Sequence, residues 1–90
     1  MSTVAEVEQK IREILVRDLE IEPEIATKVD AETRLLGRGI GLDSMETLSL
    51  VTGIEQEFEV EVEDEELTTE LFRTLGSLTK YVVNKLQEVD

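Results

Sequence analysis

Residues 43 to 58 read D-S-M-E-T-L-S-L-V-T-G-I-E-Q-E-F. Asp43 followed three positions on by Glu46 is a D-x-x-E form of the capping box, in which each side chain accepts a hydrogen bond from the other's backbone N–H. Beyond it, Leu48, Leu50, Val51, Ile54 and Phe58 share one broad arc when residues are spaced about 100° apart. Glu46, Ser49, Gly53, Gln56 and Glu57 fall opposite, and Met45 lies about 140° from the centre of the apolar arc. The stretch therefore predicts an amphipathic helix that begins at Ser44. Met45 should project from the core, and Gly53 should sit exposed, weakening the helix by ~1 kcal/mol relative to alanine.

Upstream, residues 20 to 43 show no sustained period and hold the only proline and three of the five glycines. A connection this long is uncommon and usually functional or disordered. Its apolar residues Ile21, Ile25, Val29, Leu35, Leu36, Ile40 and Leu42 suggest a loop packed down on the core, with a short helical turn near Pro23 to Thr27. Before it, Thr3 and Glu6 form a second capping box. Val4, Val7, Ile11, Ile14, Leu15 and Leu19 then mark one helix face. That helix should end near Leu19, because Pro23 disfavours helical geometry at Glu22.

Downstream, E-F-E-V-E-V-E at 57 to 63 alternates like a half-buried strand. No second run offers itself as a partner, so an extended connector that tucks Val60 and Val62 inward is expected. Asp64 should cap a short helix over 65 to 72, with Leu67, Leu71 and Phe72 apolar. Thr74 should cap a last helix with a stripe of Leu75, Leu78, Val82, Leu86 and Val89, and with Lys80 and Lys85 toward its carboxyl end, where cations suit the helix dipole. These elements predict an all-α fold: a small four-helix bundle of three longer helices and one short one, with a long first loop, in a single domain of residues 1–90.

Composition removes whole classes of chemistry. The 90 residues include neither histidine nor cysteine, which excludes disulfides, the usual zinc sites and the Ser-His-Asp and Cys-His constellations. No enzyme is expected, nor a metal site. The acidic run E-V-E-V-E-D-E-E lacks the spacing of a calcium loop, and G-R-G-I-G lacks the strand that precedes a dinucleotide-binding turn. Twenty-two acids against nine bases leave a net charge of −13, so nucleic acid and anionic membranes should be repelled and a basic protein surface is the natural complement. An apolar content of 40% argues against disorder. Three aromatics, Phe58, Phe72 and Tyr81, imply an aliphatic core. The amino terminus does not read as a secretory signal, and no run approaches the ~20 apolar residues that span a bilayer. A cytoplasmic monomer is expected.

Ser44 remains. At the first position of a helix the backbone N–H groups are unpaired and the dipole presents positive charge. Such a place favours a phosphate, on a phosphorylated or phosphodiester-linked serine. It equally suits a serine that only helps to start the helix. With no internal base, another enzyme would have to activate the hydroxyl.

The stretch G-L-D-S-M at 41 to 45, the helix end E-Q-E-F, the F-E-V-E-V-E-D-E-E connector, the acidity and the long first loop together resemble the acyl carrier proteins over nearly the whole chain. That resemblance implies a four-helix bundle bearing 4′-phosphopantetheine on Ser44, attached from coenzyme A by a separate pantetheinyl transferase. It implies no catalysis by the chain itself, and acyl groups held as thioesters on the imported thiol. The implied recognition residues are Asp43, Met45, Glu46, Glu55 and Glu57, facing basic docking patches on acyl-transferring and condensing enzymes. The implied lining of an acyl cavity is Ile54, Val62, Phe72 and Leu78. Ser49, Arg38, Gly39 and Glu63 depart from the pattern of fatty-acid-synthesis members, which leaves fatty-acid, other lipid and polyketide pathways open. An aminoacyl or peptidyl carrier is one alternative, and an unmodified acidic helical adaptor another.

Overall fold

The computed structural model describes residues 3–88. Four α-helices follow in order: α1, Val4–Leu19; α2, Pro23–Lys28; α3, Ser44–Phe58; and α4, Leu75–Glu88. Among the described residues there is no strand, only an isolated antiparallel bridge between Arg34 and Thr74. Val89, assigned to the apolar stripe of the last helix, lies outside the described residues.

α1 is the central element and packs against α2, α3 and α4. Its expected capping box is present: Glu6 N donates to Thr3 Oγ1 at 3.2 Å and Thr3 N donates to Glu6 Oε1 at 3.1 Å. Val7, Ile11, Ile14 and Leu15 are buried, whereas Val4 at the helix start is exposed. α4 starts with a reciprocal cap in which Ser77 N donates to Thr74 Oγ1 at 3.0 Å and Thr74 N to Ser77 Oγ at 3.1 Å. Its residues Leu75, Leu78 and Val82 close the core. Each of these fully buried aliphatic side chains contributes about 1.5–3 kcal/mol by leaving water.

The long first loop is pinned at several points. Its Val29, Leu35 and Leu42 are buried, and Arg12 Nε donates to Val29 O at 2.9 Å. Leu35 N donates to Arg73 O at 3.4 Å, Leu75 N to Thr33 O at 3.0 Å, and Gly76 N to Ala31 O at 2.8 Å. These bonds strap the loop to the start of α4. The turn at 37 to 41 is tight: a Cβ on Gly39 would stand 1.7 Å from Arg34 O, so only glycine fits. α2 takes the place of the expected helical turn. It buries Ala26, while Ile25 is exposed instead of joining the core.

Two expectations are corrected. Residues 65 to 72 do not form an α-helix capped by Asp64. A 3₁₀ turn covers Asp64–Glu66, followed by further turns to Phe72. The segment's backbone bonds span three residues instead of four, Leu67 N donating to Asp64 O and Leu71 N to Thr68 O, each at 3.1 Å, while Glu63 and Glu66 cap the 3₁₀ turn. Ser77 Oγ also donates to Leu71 O at 2.9 Å, and Lys85 Nζ to Glu66 Oε1 at 2.8 Å, fixing the segment onto α4.

The second correction concerns α3. Gly53 is buried, not exposed, and Leu48 is 55% exposed. A Cβ on Gly53 would stand 2.7 Å from both Ile14 Cγ2 and Asp18 Oδ2 of α1. The missing side chain lets the two helices approach closely. The buried arc of α3 is thereby turned about 55° toward Gly53, away from the arc that apolarity alone defines. Leu48 is left at its edge.

Candidate functional site

The capping box of α3 organises the ground around Ser44. Glu46 N donates to Asp43 Oδ1 at 2.8 Å, Asp43 N donates to Glu46 Oε1 at 3.1 Å, and Thr47 Oγ1 donates to Asp43 O at 2.8 Å. Of the four N–H groups that open a helix, this box satisfies those of Asp43 and Glu46. The N–H groups of Ser44 and Met45 have no partner among the described residues. Two donors and the positive end of a 15-residue helix are thus left at the serine. The two nearest carboxylates are each bonded to a backbone N–H.

Ser44 itself is exposed, and its hydroxyl makes no hydrogen bond among the described residues. It lines a groove of about 480 Å³. The apolar walls are Leu36 and Leu42 from the loop, Leu48 and Val51 from α3, and Leu67 and Phe72 from the segment before α4. Thr47, Thr68 and Thr69 supply hydroxyls along it. A free hydroxyl on the lining of an apolar groove, with unpaired N–H groups beside it, suits a phosphodiester-linked substituent. The donor set fits a phosphate, and the groove fits an elongated group attached to it.

The five expected recognition residues fall into two groups. Asp43 is exposed, and Met45, at 72% exposure, projects into solvent as the helical wheel indicated. The three glutamates are half-buried and bonded within the fold. Glu46 completes the cap. Glu55 Oε2 accepts from Val62 N at 3.0 Å and so holds the connector. Glu57 accepts from Lys10 Nζ and from Arg17 Nη1, each at 3.3 Å. Arg17 first and then Lys10 hold the Glu57 carboxyl below its usual range. What α3 turns outward is Met45, Leu48, Ser49, Thr52 and Gln56, a strip without charge on a chain of net −13.

Of the four expected cavity residues, Phe72 lines the groove. Ile54 and Leu78 do not line it. They are sealed in the core, on the inward faces of α3 and α4. Val62 is half-buried on the connector and does not line it either. The groove instead uses Leu36, Leu48 and Leu67, which sequence reasoning did not single out as lining. Their available signal was an apolar residue at the margin of a buried arc or inside a loop.

A family model described as the phosphopantetheine attachment site matches residues 9–82. Among solved structures, the chain is similar to a holo acyl carrier protein from Nitrosomonas europaea determined in solution by NMR. The sequence identity is 36% over 90% of this chain and 95% of that one, with a TM-score of 0.78.

Proposed function

The chain belongs to the phosphopantetheine attachment-site family, and from that premise we propose that Ser44 is the residue that bears the arm. The protein is an acyl carrier and not a catalyst. When bound, the arm supplies a terminal thiol that holds an acyl group as a thioester. One observation carries the assignment of Ser44: its hydroxyl is exposed and unbonded at the first position of α3, where the capping box leaves two N–H groups open on the wall of the apolar groove.

What the chain's own residues do follows from this placement. The open N–H groups of Ser44 and Met45 and the helix dipole hold the phosphate, an interaction worth about 0.3–1 kcal/mol at an exposed helix end. Asp43 and Glu46 keep the helix end rigid through their mutual bonds. The groove offers an apolar surface for cargo. Partners are a pantetheinyl transferase and acyl-transferring or condensing enzymes. Their basic patches are drawn in by the field of 22 acids, which speeds encounter more than it tightens binding. Asp43, Met45 and Leu48 then form the contact, while Glu55 and Glu57 add charge from bonded positions. The proposed unit is one carrier domain of residues 1–90 acting in the cytoplasm, with cargo from fatty-acid, lipid or polyketide synthesis. Among the described residues, no helix is long and apolar enough to cross a membrane.

The test is the intact mass after incubation with coenzyme A and a promiscuous pantetheinyl transferase. One phosphopantetheine should be added and should map to Ser44 by fragmentation, and Ser44→Ala should gain nothing. An unchanged wild-type mass, while a known carrier in the same tube is modified, overturns the assignment.

A further inference from the structure

Acids outnumber bases 22 to nine, so a basic side chain has many carboxylates within reach. Lys10, Arg12, Arg17 and Lys85 each form salt bridges. Lys28, Arg34, Arg38, Arg73 and Lys80 form none among the described residues, and of these the fold brings Arg34 and Arg73 together. The Arg34–Thr74 bridge and the bond from Leu35 N to Arg73 O set their backbones side by side. Both are exposed and line one recess of about 340 Å³ with Leu36, Thr69 and Glu70. Glu70 shares that recess without pairing to either arginine. Leu36 and Thr69 also line the groove that Ser44 lines, so the recess adjoins that groove.

We propose that Arg34 and Arg73 receive an anionic group at the far end of the cargo, and that the protein favours acyl groups tipped with a carboxylate over plain alkyl chains. This inference rests on Ser44 as the attachment residue. An alkyl chain leaving the apolar walls meets two hydrated guanidinium groups and gains nothing there. A carboxylate meets planar donors whose fork matches its two oxygens. The same arginines would also suit an acidic side chain of a partner protein. Continuity with the Ser44 groove favours the cargo.

The holo protein would be loaded at Ser44 with two cargoes of equal carbon number, a straight-chain monoacid and the monothioester of the corresponding diacid. Cleavage of each thioester by hydroxylamine is then timed by intact mass and normalised to the same thioester on free coenzyme A. The diacid cargo should be cleaved about threefold more slowly than the monoacid one, in line with partly exposed ion pairs. Arg34→Gln/Arg73→Gln should abolish the difference. Lys80→Gln, which removes an exposed charge elsewhere, should keep it. Equal cleavage of the two cargoes on the wild type overturns the inference, whether or not the double variant folds. Absence of loading at Ser44 overturns it together with the assignment of that serine. A double variant that slows a partner enzyme while cargo protection persists assigns the arginines to protein docking and likewise overturns it.

Discussion

α1 and α3 are built alike and used differently. Both open with a reciprocal capping box, and both close on a glutamate in left-handed geometry, Glu20 at φ 58° and Glu59 at φ 53°. Beyond its first turn, α1 buries its apolar stripe from Val7 to Leu15 and half-buries Leu19. α3 exposes Met45 and Leu48 and buries a glycine. The difference lies in what each helix must accommodate. α1 is surrounded by three others, so its apolar face alone sets its rotation. α3 is drawn toward α1 at Gly53, and the shift releases Leu48, whereas Met45 projects outward on its helical position alone. A helix with a single task follows its hydrophobic pattern. A helix that also carries the proposed attachment serine departs from it at Leu48, beside the proposed contact surface.

The largest effect should separate the buried from the exposed apolar residues of α3. Ile54→Ala should cost about 2–5 kcal/mol in urea unfolding, whereas Leu48→Ala should stay within about 0.5 kcal/mol. Equal losses would show that α3 is not turned as described. Next, Gly53→Leu should cost about 1–3 kcal/mol by forcing α3 off Ile14 and Asp18, with Ile14→Ala partly relieving the clash in a double-mutant cycle.

Charge should then distinguish the α1–α3 seam from the connector. Arg17 holds Asp18 low, and Arg17 with Lys10 holds Glu57 low. Their folded values lie below their unfolded ones, so this stabilisation is present above about pH 4 and is lost as pH falls further. Glu63 runs the other way: Glu61 first, then desolvation and Glu65, push its carboxyl up. Its contribution is fully present below the ordinary carboxylate value and is lost as pH rises through the raised one. Urea midpoints should therefore rise as pH is lowered toward about 5 and fall below about 4. Lys10→Met/Arg17→Met should flatten the acid limb, and Glu63→Gln the other. Added salt or millimolar magnesium should raise the melting temperature by screening the excess of acids.

The smallest effect belongs to the helix ends. Glu59→Gly should stabilise by about 1 kcal/mol by relieving left-handed strain, and Glu59→Gln separates that gain from the loss of a charge.

Much of this architecture was legible in the sequence, because capping boxes and helical periods are local. Thr3 with Glu6, Asp43 with Glu46, and Thr74 each announced a helix start within a few residues. Ser44 was legible for the same reason, since its position follows from its cap. The rotation of α3 was not legible, because it depends on Gly53 meeting Ile14 across 39 residues of chain, and no local pattern reports such an approach. Residues 65 to 72 misled because an acidic start followed by Leu67, Leu71 and Phe72 reads alike whether the backbone bonds close over three residues, as here, or four. The groove walls stayed hidden because Leu36 and Leu67 reach Ser44 from two segments without a period.

The strap between the first loop and the start of α4 has a mechanical consequence. Leu36 hangs from one of its sides, and Thr69 and Phe72 lead into the other, so this wall of the groove behaves as one plate while α3 forms the opposing jaw. Widening the groove for a bulkier passenger should leave the plate intact and tilt the jaw. In hydrogen exchange, the amides of Leu35, Leu75 and Gly76 should therefore open as a single cooperative unit, at a rate that does not change with the size of the passenger.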